Sequence, residues 1–416
     1  MPAKQRKPIF TGFMPNMTAQ DRRIACANLL FPWKWTSWQK GKQTTKVEQW
    51  LQHHLNTPHA LTIDSGRSAL LYSLKSLGIQ KGDHVLVQAY TCLVVVNAIK
   101  WSGATPIYID VNEKTYNMDP KDIEQKITPQ TKAIIIQHTF GNPANLDAIL
   151  PIAKKHKLKT IEDCAHSINV VYNGKQTGTY ADAAIYSFGG EKVVSCVRGG
   201  AMITPHEKIY KTMKTYRDAL PQTKRHHIAR HLCKYPVFAI AKKTYNIKIG
   251  KILLAISKKI TLTSTIISAN EKKGEYDTNY PTQMPNVLAH ILLNQLSYID
   301  HIQKKRNQKA AYYTQHLATK TITHPQIETN TKFLRYTIQS KHAQTIIQKA
   351  KQQHIILGIW YKSVIDPTPQ DQSITAYTPG SCPIAEKLAK SSINLPIHHT
   401  ITKKDQNRVI ALFNDK

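Results

Sequence analysis

Between residues 60 and 204 short apolar runs alternate with stretches of helical character, and this rhythm narrows the possible folds more than any other property of the chain. It opens at Ser65-Gly-Arg-Ser-Ala-Leu-Leu, a strand-to-helix junction. Strands follow at His84-Val-Leu-Val-Gln, Thr105-Pro-Ile-Tyr-Ile-Asp, Ala133-Ile-Ile-Ile-Gln, Thr160-Ile-Glu-Asp and Ala184-Ile-Tyr-Ser-Phe. Several of these are almost continuously apolar, as expected where both faces of a sheet are covered. Helices lie between them, one over residues 146–156 entered through Asn145 and closed near Lys157. The pattern predicts a mostly parallel α/β domain.

The full 416 residues allow one large core and a smaller one. The expected division is an N-terminal segment (1–55), a large α/β domain (56–220), a basic helical insertion (221–275), a long helical connection (276–324, with its helix over 286–317) and a small α+β domain (325–416) closing with a helix over 403–413. The first eleven residues are basic but lack the apolar stretch of a signal peptide, and no run approaches the roughly 18 apolar residues of a spanning helix. A cytoplasmic protein is expected. Cys26, Cys92, Cys164, Cys196, Cys233 and Cys382 form no C-x-x-C pair, and His53-His54, His226-His227 and His398-His399 lack ligand spacing, so neither a disulfide framework nor a metal site is expected.

Charge is the unusual part of the composition. Lys+Arg 57 against Asp+Glu 26 gives a formal +31, which attracts polyanions whatever the fold. It is most one-sided in residues 221–270, with ten Lys or Arg, three His and no Asp or Glu. There Tyr245, Ile249, Ile252, Leu253, Ile256 and Ile260 recur at helical spacing, with Ile247 and Leu254 on the opposite face. A charge run is ordinarily a solvated surface; apolar patches beside lysines and the lack of any acid point instead to an element lying in an anionic membrane surface. No helix-turn-helix, RNA-binding aromatic signature or metal-finger spacing supports nucleic acid as partner.

Three groups of residues in the α/β region carry chemistry together. Lys192 stands in Ser187-Phe-Gly-Gly-Glu-Lys, where glycines let a turn bring an amine over the strand ends, and burial there makes a lysine a base and nucleophile. Asp163, in Ile161-Glu-Asp-Cys-Ala-His, is a carboxylate at the C-terminal end of a strand, where open α/β sheets bind ligands, while its neighbour Glu162 faces the other way. Gly66, Arg67 and Ser68 open a helix whose free N–H groups suit a phosphate, with Ser187 adding a hydroxyl. Taken singly, each is more often a solvated lysine, a capping aspartate or a capped turn. Together they are the imine-forming lysine, the acid for a pyridinium nitrogen and the phosphate cup that pyridoxal 5'-phosphate (PLP) requires.

These segments resemble the DegT/StrS-type nucleotide-sugar aminotransferases, a branch of the type I, aspartate-aminotransferase-like PLP fold. The likeness runs through Gly82-Asp-His-Val, Gly103-Ala-Thr-Pro, Tyr116-Asn-Met-Asp, Gly141-Asn-Pro-Ala, Ile161-Glu-Asp-Cys-Ala-His, Tyr186-Ser-Phe, Lys192 and Gly199-Gly, and resumes over 284–317 and at Asn394-Leu-Pro-Ile-His-His. The resemblance implies a seven-stranded, mostly parallel sheet with a small C-terminal domain, and a homodimer with active sites at the interface. It implies PLP on Lys192, Asp163 at the ring nitrogen and His166 near the ring. The chain departs from the family at three places. Cys92 stands where relatives carry a stacking aromatic residue, leaving Tyr90 or Cys92 to meet the cofactor. Pro281-Thr-Gln-Met replaces a segment that relatives write Asn-Tyr-Arg-Met, leaving Arg67 to compensate at the phosphate. Finally, the basic insertion is larger than the corresponding connection.

The expected reaction is amino transfer from L-glutamate to a keto-sugar carried on nucleotide or lipid, in surface polysaccharide or secondary glycan biosynthesis. The alternatives are sugar dehydration, epimerisation or carbon–carbon cleavage on the same fold, and a non-catalytic protein that uses its charge on membrane or nucleic acid.

Overall fold

The computed structural model describes residues 7–12, 16–263, 267–317, 321–328, 330–369 and 371–414; most of the basic N-terminal stretch, residues 1–6, lies outside them. A seven-stranded sheet is built from β1 (His59–Ile63), β2 (His84–Gln88), β3 (Thr105–Ile109), β4 (Thr131–Gln137), β5 (Lys159–Asp163), β6 (Ala183–Ser187) and β7 (Gly200–Thr204). Their spatial order is β1-β7-β6-β5-β4-β2-β3. Only β7 runs antiparallel, to both β1 and β6; the neighbours from β6 to β3 are parallel. The five strands read from apolar runs are all present, and their central residues are buried except Ile107, which is partly exposed.

Helices cover both faces. Helices α1 (Ala19–Leu30) and α2 (Gln43–Leu55) pack on one side with a later helix over Asn286–Leu296. On the other lie α3 (Gly66–Ser76) and α4 (Leu93–Trp101), which share one apolar core with β1, β2 and β7. Ser65 caps α3 by accepting from the Ser68 N–H (3.3 Å), which fixes the turn at the strand end. The helix expected to follow Asn145 is α5 (Leu146–Lys155): Asn145 accepts from the Ala148 N–H, Asp147 lies in the first turn and Lys154 and Lys155 in the last.

The basic insertion folds as a hairpin of α6 (Arg225–Lys243) and α7 (Ile249–Lys259), with α6 packed on α1. Gly250 permits the close approach of the pair, because a Cβ there would sit 2.1 Å from the Ala241 carbonyl oxygen. Ile249, Ile252, Ile256 and Ile260, at 51–59% exposed, face outward as an apolar stripe, whereas Leu253 and Leu254 are half-buried and Tyr245 packs edge-on against Phe10. The insertion leaves and rejoins the fold at one place: Gln222 donates to Gln283, the Gln283 N–H donates to the Pro221 carbonyl (3.0 Å), and Thr223 bonds Thr282 (2.6 Å).

The single helix expected over 286–317 is instead two, α8 (Asn286–Leu296) and α9 (Ile299–His316). The break falls at Tyr298, whose backbone (φ −113°, ψ 10°) leaves the helical region between the two. The small domain has an antiparallel sheet of β8 (Ile322–Thr323), β9 (Tyr336–Ser340) and β10 (Ser392–Leu395), so its sheet begins three positions before residue 325. Its last helix is Lys403–Asn414. The N-terminal segment is shared: α1 and α2 pack on the large domain, but Ile9–Phe10 pairs with Ile355–Ile356 of the small one. Among the described residues no helix is long and apolar enough to cross a membrane.

Candidate active site

The C-terminal ends of β5 and β6 and the N-terminus of α3 converge on a cavity of about 500 Å³, at the position where open α/β sheets bind ligands. Asp163 ends β5, Ser187 ends β6, and Gly66 opens α3. The loop from β6 to β7 is closed at its base by Phe188 N–H to the Gly199 carbonyl (2.8 Å) and Cys196 N–H to the Phe188 carbonyl (3.1 Å). Lys192 rides on this loop and faces the cavity together with Gly66, Arg67, Cys92, Asp163, His166 and Ser187.

Burial pulls the Lys192 ammonium below the usual lysine range, against the opposing influence of Cys92, Asp163 and Glu191. The same burial pushes the Asp163 carboxyl up, while the Ala165 N–H (2.9 Å), Lys192 and His138 pull it down. Each group is therefore held toward its neutral form, the state in which a lysine acts as a nucleophile. His166 is kept uncharged by burial and by Lys192 and Arg335; its Nδ1 accepts from the Phe140 N–H (3.3 Å), which leaves the proton on Nε2. Gly66 is required sterically, since a Cβ would lie 2.7 Å from the Ser187 Cβ and fill the cup.

Two expected contacts are placed elsewhere. Tyr90 does not line the cavity: with φ at +62° its ring turns into the core, where its hydroxyl donates to the Trp360 carbonyl (3.1 Å) and accepts from the Tyr361 N–H (3.0 Å). Ser68 bonds back to the Ser65 hydroxyl (2.8 Å) and serves the cap of α3. Cys92 does line the wall, and the aromatic side chains lining the cavity are His166, His231, Phe238, Trp360 and Tyr361. Lys192 Nζ lies 5.4 Å from the Trp360 ring centre, and the Arg335 guanidinium covers the same ring at 4.5 Å. Glu162 faces away from the cavity, as expected, and accepts from Gly178, Tyr180 and Ala181 N–H groups and from His138 (3.0 Å). His138, Glu162 and Cys164 do bring ligand atoms within 4.8 Å of one another, but both Glu162 oxygens are taken by those bonds.

Several wall residues carry no signal in the sequence. Arg198 pairs with Asp64 (2.6 Å) and stacks 3.2 Å above the Tyr280 ring centre. His231, Lys234 and Phe238 reach the cavity from α6, and Arg67 pairs with the buried Glu271 just beyond the insertion's last loop.

A lysine over the ends of parallel strands, a buried carboxylate beside it and a glycine-opened helix N-terminus fit PLP, and the family comparison agrees. Residues 33–414 match the model of the DegT/DnrJ/EryC1/StrS aminotransferase family. The chain belongs to that family. Among relatives in the family, a GDP-perosamine synthase of Caulobacter vibrioides is 27% identical across 90% of this chain and 91% of its own. That of Escherichia coli O157:H7 is 37% identical over 198 residues, 48% of this chain and 54% of its own. Among solved structures, DesV of S. venezuelae superposes with a TM-score of 0.74 at 22% identity, covering 97% of this chain and 98% of its own. NtdA of Bacillus subtilis, with bound cofactor PMP, gives 0.74 at 21%, over 99% and 86%. The protein is thus a PLP-dependent aminotransferase of the type I fold.

Proposed function

We propose that this aminotransferase moves an amino group from L-glutamate to the keto group of a sugar carried on a nucleotide or lipid diphosphate, in the making of a surface or secondary glycan. One observation carries the reading: the Lys192 cavity borders a second, strongly basic one. That cavity, of about 260 Å³, shares Gly190, Glu191 and Phe238 with the first and is lined by Arg22, Lys242, Arg306, Arg335, His398 and His399. Its only acid among the described lining residues, Glu191, is paired with Arg335 (2.8 Å), and the buried Arg306 Nε has no hydrogen-bond partner. A diphosphate next to the reacting carbon is the ligand such a pair of cavities suits. Relatives named for GDP-, dTDP- and UDP-linked amino sugars support the same substrate class.

When bound, PLP supplies the electron sink that lets a proton leave the carbon bearing nitrogen. Lys192, buried and held toward its neutral amine, would be the base that holds and moves that proton in each half-reaction. Asp163 would accept from the ring N–H and Gly66 and Ser187 would hold the phosphate, while neutral His166 and Trp360 wall the site against water. The homodimer is part of this reading: Leu30, Phe31 and Trp33 leave an apolar patch 40–72% exposed at the end of α1. The isoleucine stripe of α7 among lysines supports a cytoplasmic enzyme resting on the inner, anionic face of a membrane.

The test is the absorption spectrum of the protein loaded with PLP, before and after L-glutamate, for wild type and Lys192→Ala. A yellow lysine imine that glutamate bleaches in wild type, and that never forms in the variant, is the expected result. An imine untouched by glutamate overturns the donor, and no imine overturns the role of Lys192.

A further inference from the structure

The cofactor's phosphate brings close to two negative charges into a cavity whose cations are mostly engaged already. Arg67 is paired with Glu271, Arg198 with Asp64, and Arg335 with Glu191. Lys192 is consumed as the imine, and Lys272 is exposed at the mouth. That leaves Lys234 on α6. It is 4% exposed, lines the cavity together with Ser65, Gly66 and Ser187, and among the described residues has no carboxylate within ion-pair distance. A lysine buried in that manner is costly unless an anion completes it.

Its place on α6 directs it to the phosphate end. His231, one turn earlier on the same face, bonds the Tyr280 hydroxyl (3.2 Å); Tyr280 lies under Arg198; and Arg198 holds Asp64, next to Ser65 at the cup. We infer that Lys234, contributed by the basic insertion, is the cationic ligand of the cofactor's phosphate, the role that Arg67 is free to play only through its backbone because Glu271 occupies its side chain. Burial, with Arg198 nearby, pulls Lys234 down to about 8 while no anion faces it, and a phosphate raises it again.

The experiment titrates apo-protein with PLP and, separately, with pyridoxal, which forms the same imine without a phosphate. Imine absorbance gives the dissociation constants for wild type, Lys234→Met and Lys234→Arg. Losing one charge-assisted contact raises the Kd for PLP about 10- to 100-fold in Lys234→Met. Pyridoxal affinity stays unchanged, and Lys234→Arg keeps most of the wild-type affinity. Inorganic phosphate competes with PLP in wild type and loses that effect in Lys234→Met. An equal loss for PLP and pyridoxal makes Lys234 a packing residue and overturns the assignment. So does an unchanged Kd for PLP, which hands the lysine to the substrate's diphosphate instead.

Discussion

Glu271 ties the basic insertion to the cofactor domain, and its removal has a calculable cost. Its side chain, 5% exposed, pairs with Arg67 at 9% exposed, and burial already holds the Arg67 guanidinium down to about 10. Glu271 also accepts from the Ser268 N–H (2.7 Å), closing a capping box on the short helix Ala269–Lys272. Taking one partner from a buried ion pair costs about 3–5 kcal/mol, and losing the cap about 1 kcal/mol more. Glu271→Gln separates the terms, since glutamine retains the cap but leaves Arg67 uncompensated. The penalty falls on local opening of the 221–275 segment, so hydrogen exchange is the proper assay, with amides of α7 and residues 269–272 exchanging roughly 10²- to 10³-fold faster. Arg67→Met combined with Glu271→Gln recovers much of the loss, because no charge is then stranded. The reasoning fails if Glu271→Gln exchanges no faster than the exposed Glu275→Gln, or if the two losses simply add.

Three further outcomes follow from other parts of the molecule. Asp163→Asn, which removes the carboxyl that would accept from the ring N–H, lowers kcat/KM for glutamate by at least about 100-fold with the Lys192 imine still visible in the spectrum. Because Lys192 is depressed by burial and reacts only when neutral, the rate of imine formation with PLP rises with pH through a midpoint below the ordinary lysine value, as stopped-flow absorbance will show; a midpoint at or above it removes the desolvation argument. Ile252→Gln with Ile256→Gln loses at least about 100-fold in binding to anionic vesicles by sedimentation, at about 1.5–3 kcal/mol for each apolar side chain withdrawn from water; wild type sedimenting equally with neutral vesicles, or with none, rules out the membrane surface.

The large sheet was legible because its strands are covered on both faces, which forces Val85-Leu-Val and Ala133-Ile-Ile-Ile into unbroken apolar runs. Lys192, Asp163, Gly66 and Ser187 were legible for a related reason: each closes such a run or opens the helix after it. What failed to show depended on single residues or on distant chain. One residue, Tyr298, leaves the helical region and breaks a periodic helix, and a positive φ turns Tyr90 from the cavity into the core. Trp360 and Lys234 meet Lys192 only after the small domain and the insertion have docked, and nothing in their neighbouring residues announces it. Arg67 read as a phosphate ligand because its partner, Glu271, lies far along the chain.

Because residues 221 and 283 stand side by side, the segment between them leaves and rejoins the fold at one stem, while α6 also packs on α1 and Glu271 pairs with Arg67. Such a joint lets the outward-facing part of the segment, α7 and its isoleucine stripe, gain or lose material without shifting the elements that present Asp163 and Lys192, so the length and charge of that part are free to diverge while the chemistry stays fixed. The freedom stops where the segment meets the cofactor domain, at Lys234 in the cavity wall and Glu271 on Arg67. Thr282 N–H and Arg198 both hold Asp64, beside the residues that open α3, so a replacement must still end in a residue that docks there. A grafted segment that respects this joint would give the same catalytic centre a new address or a new clientele.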